Sequence, residues 1–117
     1  AMFNVVGRNH DDHVKNIAFL MDRRGAWRLS PAFDISYAWD PNGAWTQQHQ
    51  MSINGKREHI EREDLLALAT AAGMKSTQAN DMLDRVIAAF RSWPETAAST
   101  GVPEADILRI QRALLLL

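Results

Sequence analysis

The segment Asp11-Asp12-His13-Val14-Lys15-Asn16 sets a carboxylate five positions ahead of a side-chain amide, with a cation between them. After a short gap, Ser30-Pro31-Ala32-Phe33-Asp34-Ile35 supplies a further carboxylate behind an aromatic residue. Those residue types in that order suit phosphoryl transfer. In such a centre one Asp takes the proton of the attacking hydroxyl and an Asn five positions later binds metal. A later Asp holds the Mg²⁺ that bridges the nucleotide phosphates. Asp11 fits the base, and Asn16 and Asp34 fit the metal ligands. Lys15 lies where a cation can neutralise the transferring group, although a solvated surface lysine is the plainer alternative. Asp11 alone could equally cap a turn; its joint spacing with Asn16 and Asp34 carries the reading. Asp12, only four positions before Asn16, is the rival carboxylate, better read as solvated or structural.

The other half of such a machine is missing. All six glycines stand alone, so no Gly-rich phosphate loop is present, and no strand Lys paired with a helix Glu precedes Asp11. The expectation is a site that works inside a larger protein and that this chain by itself cannot operate.

Positioning the trio falls to local structure. Ile17–Met21 and Trp27–Leu29 are apolar runs around Asp22-Arg23-Arg24-Gly25, which reads as a hairpin. It brings Asn16 and Asp34, eighteen positions apart, toward one metal site. Pro31 breaks the second strand, leaving Asp34 on a turn, as befits a ligand-bearing loop residue. Asn54-Gly55 predicts a second small hairpin over Met51–His59, because a type I′ turn needs two positive φ angles. Glu61 to Ala72 reads as a helix, acidic in its first turn and stopped by Gly73. Ser76 is placed to cap the next, in which Met82, Leu83, Val86, Ile87 and Phe90 recur at helical spacing until Trp93-Pro94. A third helix starts near Pro103 and runs to the C-terminus. The Leu114–Leu117 run is its end, packed on the core or cut before its natural stop. Met2–Val6 is too short for periodicity to decide. The fold class expected is mainly α with one or two short β-hairpins.

Asp-Asp-His-Val-Lys-Asn-Ile-Ala-Phe-Leu from Asp11, with Gly-Ala-Trp-Arg-Leu-Ser-Pro-Ala-Phe-Asp-Ile-Ser from Gly25, resembles the C-terminal part of the HipA-like serine/threonine kinases, toxins of bacterial toxin–antitoxin pairs. Met51-Ser-Ile-Asn-Gly-Lys-Arg57, leading into Glu63–Ala69, is similar to the same family. The resemblance covers most of the chain and fades after about residue 90. It implies a kinase C-lobe-like helical domain over residues 1–117, with a catalytic loop and metal-binding hairpin over 7–36 and a helical remainder over 60–117. It also implies ATP and Mg²⁺ as cofactors and a nucleotide-facing set of His13, Val14, Lys15, Asn16, Phe33, Asp34 and Ile35. Phe33 and Ile35 are expected to hold Asp34 in place. Arg8 precedes the loop instead of standing beside the Asp, and Phe precedes Asp34 with Ile after it; both match the HipA-like pattern better than the eukaryotic one. A protein substrate and a DNA-binding antitoxin partner follow from the resemblance, as does an N-lobe, in cis or in trans. Family members run to several hundred residues, which makes this chain a C-terminal fragment or a very short relative. A second reading, of another class, is a non-catalytic helical binding module that pairs with an antitoxin or a separately encoded N-lobe.

Composition bounds the alternatives. A chain of 117 residues is one domain by length, able to bury roughly two-thirds of its unfolded surface. A net charge of −1 provides no global field toward nucleic acid or membrane. Zero cysteines exclude a disulfide framework and thiolate chemistry, and the longest apolar run is far too short for a membrane span. Cytoplasmic location is the default. Ala1 ahead of Met2 reads as the residue left by a cleaved expression tag, with Met2 as the start. His10-Asp-Asp-His13 could alternatively form a metal cluster, but His49 and His59 lie far along the chain and no Cys is available to complete it. The four tryptophans are better read as wholly or partly buried than as base-stacking platforms, and no basic stripe for nucleic acid is evident.

Overall fold

Leu65 and Leu83, each at most 1 % exposed, mark the centre of the molecule in a computed structural model that describes residues 1–117. Around them Val5, Val6, Ile53, Ile60 and Ile87 close one apolar core, with Met2, Val86, Phe90, Leu115 and Leu117 packed against its rim. Each fully buried aliphatic side chain here contributes about 1.5–3 kcal/mol relative to exposure.

Five helices supply most of that core. α1 (Met2–Val6) is short and buries Val5 and Val6. α2 (Arg62–Ala71) follows Glu61 and gives way to Gly73, whose φ of +76° is the left-handed geometry that ends helices. α3 (Ser76–Arg91) buries Ala79, Leu83 and Ile87, one residue per turn on a single face. Its N-cap is Lys75, with Ser76 already the first helical residue and no side-chain cap bond, so the helix starts one position earlier than the sequence suggested. Trp93-Pro94 does not simply stop the chain: α4 (Trp93–Ser99) begins there, because Pro is tolerated in a first turn where its missing N–H would be unpaired anyway. α5 (Glu104–Ala113) packs beside α4, with the Trp93 indole N–H donating to the Ile107 carbonyl at 3.1 Å. Leu114–Leu117 is not helical. Leu114 turns to ψ 140°, and the Leu115 N–H donates to the Val6 carbonyl at 3.1 Å, so Leu115 and Leu117 reach the core in another conformation.

The sheet is one antiparallel hairpin, β1 (Phe19–Met21) with β2 (Trp27–Leu29), in register Phe19 to Leu29, Leu20 to Arg28 and Met21 to Trp27. The Asp22 carboxylate accepts the N–H groups of Arg24 at 2.8 Å and Ala26 at 3.0 Å, and Gly25 supplies the positive φ that the turn requires. The Asn54-Gly55 turn forms as expected, with φ of +50° and +80°, but it joins only a single bridge between Ile53 and Lys56. Trp27 and Trp45 are 67 % and 75 % exposed, contrary to the expected burial. No helix is long and apolar enough to cross a membrane. The result is mainly α with a short hairpin that stands away from the core.

Candidate functional site

The site begins where α1 ends. Arg8 takes a left-handed φ of +56° and is pinned there: its Nε donates to the Ala113 carbonyl at 2.6 Å, and its guanidinium lies 5.1 Å from the Trp39 ring centre. The Arg8 carbonyl accepts the Ala38 N–H at 3.0 Å. Next to it, buried Asn9 donates its side-chain amide to the Asn4 side-chain oxygen and to the Asp34 carbonyl, both at 3.3 Å. The stretch after the hairpin is thus tied at residues 34 and 38 to the residues that lead into Asp11. Asp34 itself has a φ of +54°, a conformation that Asp tolerates better than most residues and that is concentrated at functional positions.

From there side chains alternate in burial. His10 and Asp12 are buried, whereas Asp11 and His13 are half open. A 3-10 turn over Val14–Asn16 closes the loop, and the Asn16 Nδ2 donates to the Asp11 carbonyl at 2.9 Å. That bond gives the five-residue spacing a physical cause. It also fixes the Asn16 amide with its nitrogen inward, leaving its oxygen for a cation. His13 Nε2 stands 3.7 Å from an Asp11 carboxylate oxygen, and its Nδ1 is buried without a protein partner.

A groove of about 450 Å³ opens beside the loop, walled by His13, Asn16, Ser30, Ile35 and Met51 among others. Of the residues singled out from the sequence, His13, Asn16 and Ile35 line it. Asp11, Val14, Lys15, Phe33 and Asp34 lie outside its walls, with Val14 68 % exposed. Oxygen donors from Asn16 and Asp34 suit Mg²⁺, which keeps waters and takes only one or two protein ligands when phosphates supply the rest. No three His, Asp or Glu side chains gather to hold a metal on their own.

Three residues that the sequence reading left aside complete the arrangement: Asn9, Asp12 and His49. Asp12 is buried, so of its two readings the structural one applies. Its carboxylate accepts His49 Nδ1–H at 2.9 Å and the N–H groups of Gln50 at 2.8 Å and Met51 at 3.2 Å. Burial alone would push the Asp12 carboxyl up, but the His49 hydrogen bond and those of Met51 and Gln50 outweigh it and hold it below the usual carboxylate range. His49, remote in sequence, stacks on His10 with ring centres 4.0 Å apart. The two rings, with Arg8, Trp39 and His59, border a smaller cavity of about 260 Å³.

The Met51–Arg57 motif has a mechanical role. Asn54 Nδ2 and Lys56 Nζ donate to the two oxygens of Asp64 at 2.9 and 2.8 Å, and the Glu61 N–H adds a third bond at 2.9 Å. Those bonds, Lys56 first, draw the Asp64 carboxyl down to about 2. The turn is thereby fastened to the first turn of α2.

Comparison with known proteins bears on the fold and the family. The family model for the HipA-like C-terminal domain matches residues 1–93. A chain in the solved complex of the Shewanella oneidensis MR-1 toxin–antitoxin system, HipA, HipB and its operator DNA, is similar in structure, with a TM-score of 0.72 and 25 % sequence identity. The match takes in 98 % of this chain and 28 % of that one, so the chain spans little more than a quarter of its structural relative. No curated protein matches. The chain belongs to the HipA-like C-terminal domain family.

Proposed function

We propose that this chain is the C-lobe of a HipA-like serine/threonine protein kinase, which transfers the γ-phosphoryl group of ATP to a protein hydroxyl. One observation carries the reading. The Asn16 amide is locked on the Asp11 carbonyl, while Asn9 ties the left-handed Asp34 to the same loop. In this reading Asp11 takes the proton of the substrate hydroxyl as that oxygen bonds to phosphorus and the bond to the β–γ bridging oxygen breaks, releasing ADP. Asn16 and Asp34 hold Mg²⁺, which when bound neutralises charge on the phosphates. Lys15 and His13 face the phosphates, with Val14, Phe33 and Ile35 completing the nucleotide-facing set. An N-terminal lobe, in cis or in trans, supplies the phosphate-covering loop and lysine. The bare apolar hairpin favours such a covering partner, and the HipB and operator DNA of the structural relative favour a DNA-binding antitoxin as a further one.

A second reading, a helical binding module without catalysis, draws on the same bare surface. Phosphoryl transfer from labelled ATP separates the two. The 117-residue chain alone should give no measurable turnover, and addition of an N-terminal lobe should restore it. Asp11→Asn in the restored protein should then lower kcat at least about 10³-fold. Full activity of that variant would overturn the assignment of the base. No activity in the restored wild type would favour the binding module.

A further inference from the structure

Asp11 and Asp12 are joined by one peptide bond and have opposite surroundings: the Asp11 side chain is 49 % exposed, the Asp12 side chain 4 %. All three donors to Asp12 come from one segment, His49-Gln50-Met51, thirty-seven to thirty-nine positions away. The Gln50 N–H is shared with the His10 carbonyl at 3.2 Å, so the segment grips the loop at two successive turns of its alternation. The segment is itself immobilised. The His49 N–H donates to the Arg57 carbonyl at 2.9 Å and Arg57 Nε donates back to the His49 carbonyl at 2.5 Å. One residue before Arg57, Lys56 is bound to Asp64 in α2. A continuous set of hydrogen bonds therefore runs from the first turn of α2, through the Asn54-Gly55 turn and His49, to the backbone that carries Asp11.

We infer that Asp12 and His49 form a positioning pair that aims Asp11 and Asn16 without touching the reactants, a role that rests on the phosphoryl-transfer reading and deepens it. Displacing the Asp12 backbone moves the neighbouring Asp11 Cα directly. Because the Asp11 carbonyl is the acceptor for the Asn16 amide, it moves the Asn16 side chain as well. Misplacement by about 1 Å is enough to cost about 10²-fold in rate. Stability alone is a poor explanation for the pair. Burying a carboxylate against an imidazole returns little net folding energy compared with apolar packing, whereas a loop with no regular structure between residues 9 and 13 needs some such fixed point.

The experiment is steady-state kinetics on the protein carrying its N-terminal lobe, comparing wild type with His49→Ala, His49→Asn and His49→Gln. An Asn amide nitrogen occupies the place of Nδ1, whereas a Gln nitrogen occupies that of Nε2. His49→Ala should lower kcat about 10²-fold with KM for MgATP changed less than about threefold. His49→Asn should recover to within about tenfold of wild type, and His49→Gln should not. Rescue by Gln equal to that by Asn, or a kcat in His49→Ala equal to wild type, would overturn the inference; should the Ala variant fail to fold, the Asn and Gln pair decides alone. A parallel measurement on the 117-residue chain needs no activity. Solvent exchange of the Asn16 side-chain amide protons, followed by NMR, should quicken at least about tenfold in His49→Gln relative to His49→Asn; equal exchange in both would refute the positioning role. If the wild type with its N-terminal lobe proves inactive while the Asn16 exchange behaves as expected, the phosphoryl-transfer reading fails and the clamp stands.

Discussion

The hairpin and the segment from Met51 to Asp64 are inversions of one another. In the hairpin all six strand residues are exposed, including Phe19 at 60 %, Trp27 at 67 % and Leu29 at 65 %. Along the second segment the inward positions include a carboxylate, Asp64, beside Ile53 and Ile60, with Lys56 and Asn54 bound to it. Apolar groups left in water and a charged group taken out of it both cost free energy, so each needs a reason. The buried carboxylate has its reason inside the chain, since every donor that it needs is present. The exposed apolar face has none there, and contiguous patches of that kind mark surfaces that are covered in the working assembly. One region is satisfied within the chain and the other is not.

The largest test of this contrast is to remove the same side chain from each side of it. Leu83, with no solvent exposure, sits in the core, whereas Leu29 lies on the hairpin. Leu83→Ala should cost about 3–5 kcal/mol, lost burial plus residual cavity. Leu29→Ala should stay within about 0.5 kcal/mol. Urea unfolding followed by circular dichroism measures both. A cost at Leu29 comparable with that at Leu83 would show that the hairpin belongs to the core after all.

Features set by neighbouring residues were legible in the sequence. Asp22-Arg-Arg-Gly25 closes its hairpin with its own side chain and one glycine, and Asn54-Gly55 takes the two positive φ angles from its own residue types. The spacing of Asp11 and Asn16 was visible for the same reason, since one local hydrogen bond enforces it. Features decided by distant partners were not. Nothing in the run Gln47-Gln48-His49-Gln50 indicates that His49 meets Asp12, and the alternation that buries Asp12 while exposing Asp11 is too short to give a period. Trp93-Pro94 was ambiguous in kind: Pro ends one helix and opens another equally well, and only the packing of Trp93 against Ile107 selects the second. Leu114–Leu117 is helical by composition, but the Val6 carbonyl and the core rim draw it out of the helix.

A smaller effect separates the buried histidine from the buried carboxylates. Burial, then His49 and Arg8, push the His10 imidazole down from 6.5 to about 4, against weaker upward pulls from the nearby Thr46 backbone and Asp12. The folded chain thus keeps His10 neutral where the unfolded chain binds a proton. Its contribution is whole above about pH 6.5 and is lost as pH falls toward 4, at up to about 1.4 kcal/mol per pH unit. Asp12 and Asp64 have lowered values, so their contributions are present above the ordinary carboxylate range near 3.8 and fade only below it. His10→Phe keeps a ring against His49 and Trp39 and removes the titration. Its stability should be flatter than that of wild type between pH 6.5 and 4, with the two curves falling in parallel below that. Denaturation midpoints at closely spaced pH values test this; a wild-type curve already flat across the upper window would remove His10 from the account.

The smallest effect is the sharpest test of whether the hairpin is an independent arm. The Asp22 carboxylate accepts two backbone N–H groups, both within the turn. Asp22→Ala removes one acceptor group in an exposed place, where each bond is worth about 1 kcal/mol or less. A two-stranded hairpin is marginally stable by itself, so that loss should open it locally. Amide exchange should quicken several-fold at Asp22 and Ser30, whose N–H groups donate to Ala26 and Ala18 across the hairpin. Amides of α3 should keep their protection, since they exchange through global unfolding, and the melting temperature should move by no more than about 2 °C. Slowing of the same hairpin amides on addition of an N-terminal lobe would show that the exposed face is where that lobe lies. Uniform quickening across α3 and the hairpin in Asp22→Ala would instead join the two regions into one cooperative unit, and the contrast between them would be lost.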